Sequence, residues 1–330
     1  MMKRFPARNG LREWIAAIWA TLQMAGGRRP STLPPADEAL RRRAAELQGH
    51  VGWLAEQIGE RHVPGRPQAL QAAADYVQAQ LAAAGDNVHR QTYHVAGHDC
   101  HNLFVERPGH RRPDEIVVVG AHYDSVPGSP AANDNASGVA GLLGLAQDLR
   151  DVPNDRTLRL VAFVNEEAPY GHTPQMGSWV YAHACRQRNE RITGMLCLET
   201  IGCYSNRPGS QRYPPGLGWF YPSRGNFIAL IANTRSARLV RRVVRGFRAN
   251  EAFPCQAVAL PESVTAIARS DHWSFWQHDY PALMVTDTAP FRYRHYHTPQ
   301  DTPDKIDYER TARVVRGLGH AVADLLRIPS

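Results

Sequence analysis

The run Gly120-Ala-His-Tyr-Asp-Ser-Val-Pro-Gly-Ser-Pro-Ala-Ala-Asn-Asp-Asn-Ala-Ser-Gly138 decides how the chain is read. An apolar stretch, Ile116-Val-Val-Val119, leads into it, and a helix-like stretch, Val139 to Leu149, leads out. Between them a Gly/Pro/Ser loop carries His122, Asp124 and Asp134. Imidazole and carboxylate at the end of a buried strand suit a divalent metal of borderline hardness, such as zinc.

Working outward, three further apolar runs are too short for helices. They are Leu158–Val164, Met195–Leu198 and Pro281–Thr286. Helical stretches separate such β-branched and Leu-rich runs, a pattern that predicts α/β architecture with a mostly parallel, mixed central β-sheet sandwiched between α-helices. Helical spacing is also present from Leu40 to Ile58 and from Pro67 to Ala84, with Gly85 as a stop. Val88–Val95 alternates like an exposed strand, and Asn102–Val105 reads as a further short strand. A closing helix is expected to start at Thr302-Pro303, with Thr302 as N-cap, and to bury Val314, Val315, Leu318, Val322, Leu325 and Leu326.

The acids and histidines fall where strands end. Ile116–Val119 runs into His122 and Asp124, and Leu158–Val164 into Asn165-Glu166-Glu167. Met195–Leu198 runs into Glu199, and Pro281–Thr286 into Asp287 and then Tyr296-His297-Thr298. Ligands of parallel α/β sheets bind at the carboxyl ends of the strands, so four strand ends deliver these groups to one edge. Adjacent residues point in different directions, so one of Glu166 and Glu167 can bind a metal while the other faces water. A glutamate beside a metal site is the usual general base for peptide hydrolysis. Asp134 at the head of a helix reads either as an N-cap or as a carboxylate bridging two cations.

Six motifs in order carry a family resemblance: His-Tyr-Asp-Ser (122–125), Asn-Asp-Asn-Ala-Ser-Gly (133–138), Asn-Glu-Glu (165–167), Met-Gly-Ser (176–178), Ser-Asp-His (270–272) and Tyr-His-Thr-Pro-Gln-Asp-Thr (296–302). Over roughly Leu40 to Leu326 the chain resembles the co-catalytic zinc aminopeptidases, whose relatives include secreted bacterial leucine aminopeptidase, glutamate carboxypeptidase and animal-type glutaminyl cyclase. The resemblance implies two Zn2+ per chain bridged by Asp134. Glu167 and His297 would complete one site, His122 and Glu199 the other. It implies Glu166 as general base, Asp124 fixing the His122 ring from behind, and Tyr296 as a donor to the oxyanion. Many members carry aspartate where this chain has Glu199; the longer side chain still offers a zinc ligand. The substrate would be a peptide or aminoacyl compound cleaved at its amino end. Candidate pocket walls are Ala168–Gln175, Tyr204–Ser223 and Phe291–His295, with Arg292 and Arg294 as surface residues or carboxylate partners.

Composition bounds the rest. With 43% apolar and 21% charged residues among 330, the chain can bury a full core. The 38 basic and 31 acidic residues leave a formal charge of +7, with only Lys3 and Lys305 as lysines. The arginines are scattered, as at Arg41–Arg43 and Arg241-Arg242, and no zinc-finger or aromatic RNA-binding pattern accompanies them, so no nucleic-acid partner is expected. Five cysteines without a CxxC pair argue against a cysteine zinc knuckle; Cys197 and Cys203 read as buried thiols or as disulfide halves. Residues 1–35 are set apart from a single domain at 36–330. A basic start and the apolar run Trp14–Ala25 fit a secretory signal or short anchor, and equally a disordered or amphipathic leader; the apolar run is short for a membrane span. A signal would place the protein outside the cytoplasm or on a membrane; without one it is cytoplasmic. Two alternatives to the peptidase stand: a one-zinc cyclase-like acyl transferase using Asp134, Glu167 and His297, and a non-catalytic binding module on the same scaffold.

Overall fold

The computed structural model describes residues 32–214 and 217–328. The expected leader lies, up to residue 31, outside the described residues. The central apolar run is the middle of strand β3, and the extent of β3 shows why it nucleates the sheet. β3 (Arg112–His122) starts exposed at three residues and is then buried without interruption to His122. Each fully buried Val or Ile there contributes roughly 1.5–3 kcal/mol. A strand buried on both faces must be central, and β3 pairs in parallel with β4 (Arg156–Phe163) on one side and β5 (Arg191–Glu199) on the other.

The full sheet adds β1 (His89–Val95), β2 (His98–Arg107), β6 (Ile228–Asn233), β7 (Cys255–Leu260) and β8 (Ala282–Thr286), in the order β1-β2-β4-β3-β5-β8-β6-β7. Pairing is parallel among β4, β3, β5 and β8 and between β6 and β7. It is antiparallel for β1/β2, β2/β4 and β6/β8, so the sheet is mixed as expected. β1 is an edge strand with its alternation exposed to solvent. The strands β6 and β7 were not among those expected from the sequence, although both are apolar, β6 without interruption. They follow a long loop and flank an arginine-rich helix, and the acid after β7, Glu262, joins Asn233 and Arg235 and not the site.

Helices cover both faces. On one side lie α1 (Glu38–Gly52), α2 (Pro67–Ala83), α3 (Gly138–Asp148), α5 (Ala237–Asn250) and α8 (Tyr308–Leu326). On the other lie α4 (Gly177–Gln187) and α6 (His272–Gln277), with the short α7 (Ala289–Arg292) beyond β8. In α5, Leu239, Val240, Val243, Val244 and Phe247 face inward, while Arg238, Arg241 and Arg245 are exposed. The Arg241-Arg242 pair is therefore on the wetted side of an amphipathic helix. The closing helix differs from expectation. Thr302-Pro303 opens only a 3-10 turn, Pro303–Lys305, and α8 starts at Tyr308, where the Asp307 carboxylate accepts the Arg310 amide. A proline with a capping residue before it starts either kind of turn, and the cap that holds α8 is the later one. All five cysteines are free thiols, Cys203 alone of them being partly exposed.

One buried cation ties the fold to the loop that follows β3. Arg61 is fully buried. Its guanidinium donates to the carbonyls of Leu54, Gly59, Tyr123, Pro130 and Ala131, while its amide donates to Ser125 Oγ. A π turn (Trp53–Ile58) after α1 and the 123–131 loop are thereby pinned to one side chain. Replacing Arg61 with Met would leave several buried carbonyls without donors, at a cost of about 3–5 kcal/mol. The urea midpoint of Arg61→Met should fall accordingly; a loss under about 1 kcal/mol would show that the loop is held by other contacts.

Candidate metal and catalytic site

The strand ends deliver their residues as the sequence suggests, and the backbone there is strained. Asn165, just before Glu166, Thr200, just after Glu199, Ala131 and His297 all hold positive φ, between 48° and 61°. Left-handed backbone in non-glycine residues costs free energy and gathers where side chains must be aimed. Gly138 opens α3 because no side chain fits: a Cβ there would lie 2.3 Å from Asn135 Oδ1 and 2.5 Å from the Leu198 carbonyl.

Two donor groups form, sharing Asp134. In the first, His122 Nε2 lies 3.3 Å from Asp134 Oδ1 and 3.2 Å from Glu199 Oε2. In the second, His297 Nε2 lies 2.9 Å from Asp134 Oδ2 and 3.3 Å from Glu167 Oε1. Each group offers three ligand atoms within 4.8 Å of one another. The two oxygens of Asp134 thus face different histidines. Asp134 does not act as a helix cap: no side-chain cap bond opens this turn, and Asn135 Oδ1 instead accepts the Gly138 and Thr200 amides. Glu166 lines the same pocket as Asp134, Glu167 and Glu199, with its carboxylate 3.9 Å from His122 Nε2. Tyr296 lines the same pocket, its ring stacked 3.8 Å from that of His297.

The electrostatics show what the cluster lacks. Burial, reinforced by the Asp134 charge, pushes Glu199 up to about 8 and raises Glu167 as well. Burial also raises Glu166 well above the usual carboxylate range. Burial opposes the ionisation of Asp134 too, yet hydrogen bonds from His122 and His297 hold it below its ordinary value. Burial would depress His297, but the Asp134 and Glu167 carboxylates prevail and raise it to about 10. Four carboxylates crowded this closely are compatible with ionisation only beside positive charge. The buried Glu167 Oε1 has no hydrogen-bond donor. Two imidazoles and three carboxylates in two such sets match the donors that zinc takes.

The supporting residues are only partly those expected. Asp124 lies 3.4 Å from His122 Nδ1 without a hydrogen bond to it, and its two oxygens accept the backbone amides of Glu166 and Glu167. Ser270 Oγ donates to Glu199 Oε2 at 2.7 Å, which steadies the longer side chain. Asp301, not singled out in the sequence, accepts the amides of Asn133 and Asp134 and the Tyr293 hydroxyl. It is the acid of the Tyr-His-Thr-Pro-Gln-Asp-Thr run, and its spacing from His297 was the available signal. Asp287 is buried and accepts from Asn133 Nδ2 and the Cys203 amide, so that strand-end acid serves the Asn133 loop. His272 is buried, donates to or accepts from nothing in the pocket, and is held down to about 4 by burial while its Nε2 meets the Ile267 carbonyl. Arg292 is half-buried, giving its protons to Gln211 Oε1 and to the carbonyls of Cys203 and Phe227. Arg294 is exposed and bonds to His295. Of the three expected walls, only 168–172 lines the metal pocket; Gln211, Tyr213 and Phe291 line a separate apolar cavity.

A family model described as peptidase family M28 matches residues 102–322. An uncharacterized Escherichia coli protein, YfbL, is 37% identical over 282 residues, covering 83% of this chain and 85% of its own length. Aminopeptidase YwaD of Bacillus subtilis is 48% identical over 214 residues, which cover 62% of this chain and 40% of YwaD. Among solved structures, BSAP, a zinc aminopeptidase from Bacillus subtilis, superposes with a TM-score of 0.66 at 16% identity over 87% of this chain and 95% of its own. Fimbriiglobus ruber glutaminyl cyclase gives 0.63 at 20% identity over 90% and 99%. At these identities the two structures share the fold.

Asp301→Asn would turn an amide donor toward the Asn133 or Asp134 N–H, loosening the Asp134 loop. Zinc affinity, measured by competition with a chromogenic chelator, should drop about 10–100-fold. An unchanged affinity would separate Asp301 from the metal site.

Proposed function

The chain belongs to peptidase family M28, and from that premise we propose that it is a zinc aminopeptidase releasing the amino-terminal residue of peptides. The observation that carries this reading is Asp134, whose two oxygens each face a histidine within a complete three-residue set. In the reading, His122, Asp134 and Glu199 hold one zinc ion, and Asp134, Glu167 and His297 the other. Zinc held there supplies an acidified water and polarises the scissile carbonyl.

The remaining steps fall to the chain itself. Glu166 belongs to neither donor set and is less buried than Glu167, at the pocket wall. Burial makes its carboxylate a stronger base than one in water, suited to taking the proton from the attacking water and passing it to the leaving amine. Tyr296 keeps its phenolic proton because burial raises its pKa, so its hydroxyl is a donor for the oxyanion of the tetrahedral intermediate. Its stacking on His297 fixes the ring. Asp124 orients the pair Glu166–Glu167 through their amides, which couples base and ligand to the same support. Action at the amino end of the substrate follows the named relative, aminopeptidase YwaD.

A cyclase-like acyl transfer with one zinc needs only Asp134, Glu167 and His297. The completeness of the His122–Asp134–Glu199 set favours hydrolysis over that alternative. Leucyl-p-nitroanilide and a dipeptide panel, assayed beside metal analysis, separate the two. Hydrolysis with two zinc ions per chain is expected; cyclisation of amino-terminal glutamine with one would reverse the reading.

Glu166→Gln should keep both zinc ions and lower kcat by roughly 10²–10⁴-fold. Near-normal turnover in that variant removes the base assignment. His297→Ala should bind one zinc fewer by elemental analysis, and unchanged stoichiometry would take it off the ligand set.

A further inference from the structure

Four acids line the metal pocket, and among its described lining residues one permanent cation faces them. Beside Asp134, Glu166, Glu167 and Glu199, the pocket is lined by Arg269. Arg269 is exposed, and among the described residues its guanidinium has neither an ion pair nor a hydrogen bond. Arg61 is held by backbone carbonyls, and Arg292 gives protons to Gln211 Oε1 and to the carbonyls of Cys203 and Phe227. An unpaired guanidinium facing a substrate pocket is a group for a substrate anion, because its fork of donors matches a carboxylate in two parallel bonds.

The backbone that carries Arg269 is fixed relative to the metal donors. The next residue, Ser270, gives its hydroxyl to Glu199, and its carbonyl accepts the Trp273 amide. His172, which also lines the pocket, stacks on Trp273 at 4.4 Å, with the rings nearly parallel. Residues 168–172 and 269–273 are thereby tied together, and Arg269, exposed, lines the pocket they share. The side chain is free while its base is rigid, an arrangement that lets a flexible cation close on a ligand already held deeper in.

We propose that Arg269 is a specificity-determining residue that binds a carboxylate of the substrate, so that the pocket favours peptides carrying one close to the scissile bond. This rests on the hydrolase reading above. Two sources share that chemistry: the free carboxyl end of a dipeptide, and an acidic side chain on the residue being removed. Either places a carboxylate one residue or less from the bond that is cut.

The zinc-loaded full chain is assayed with two matched pairs: leucyl-alanine against leucyl-alaninamide, and glutamyl-p-nitroanilide against leucyl-p-nitroanilide. Arg269→Gln should lower kcat/KM for the carboxylate-bearing member of one pair by about tenfold or more, the scale of a charge-assisted contact. The neutral members should stay within about twofold, and Arg269→Lys should recover part of the loss. The pair that responds identifies the source. Equal effects on both members of both pairs, or none on any, overturn the proposal. Calorimetric titration of the same four compounds into the zinc-loaded Glu166→Gln chain, with and without Arg269→Gln, reads the contact without turnover. If the wild-type chain hydrolyses nothing, the aminopeptidase reading falls. The carboxylate preference in binding, and its loss with Arg269→Gln, still decides for or against Arg269.

Discussion

Four buried or nearly buried carboxylates around two imidazoles are the constraint on which the rest depends. Water would solvate such charges, but the apolar strands β3, β4, β5 and β8 place them at the edge of a core that excludes it. Burial alone drives Glu166, Glu167 and Glu199 toward their protonated forms. Placing cations among them removes the conflict, and the placement of Asp134 between two histidines provides two positions for them. The cost of assembling this cluster is met by an unusually large supporting set. Backbone amides point at Asp124 and Asp301, a serine hydroxyl at Glu199, and four residues accept left-handed backbone to aim their neighbours.

The support is organised in pairs, and this explains how distant parts of the chain act together. Asp124 follows β3 yet holds the turn after β4, and Asp301 precedes α8 yet holds the loop before α3. Arg61 lies 62 residues before Tyr123 and 70 before Ala131, and clamps both ends of the 123–131 loop. Each of these groups is charged, buried and satisfied mainly by main-chain partners. Main-chain partners have fixed positions, so they convert the rigidity of the sheet into rigidity of the ligands. The pocket rim is built differently. Aromatic stacking between His172 and Trp273 holds two walls, and Arg269 is left free to move.

Much of the architecture was legible because parallel strands buried on both faces leave uninterrupted apolar runs, each ending at one edge. That reading located β3, β4, β5 and β8; in the structure His122 and Glu199, and Glu167 and His297, meet at Asp134, with Glu166 and Tyr296 lining the same pocket. β6 and β7 escaped it because their ends carry no residue of the site: β6 ends at Asn233, and Glu262 after β7 accepts from Asn233 and Arg235 instead. The start of α8 escaped it because Thr302-Pro303 and Asp307 are both reasonable caps, and only tertiary contacts choose between them. Arg61 and Arg269 could not be told from the other arginines by composition. One is buried among carbonyls and the other stands at a pocket mouth, and neither environment leaves a trace in the neighbouring residues. Arg292, which the sequence left as a surface residue or a carboxylate partner, is neither: it packs over Phe227 and makes three hydrogen bonds away from the metal pocket.

The account stands or falls on whether two cations share Asp134. Anomalous diffraction from crystals of the zinc-loaded chain, recorded on both sides of the zinc absorption edge, measures this directly. The account predicts two peaks, one among His122, Asp134 and Glu199 and the other among Asp134, Glu167 and His297. A single peak, or zinc bound away from Asp134, would contradict it.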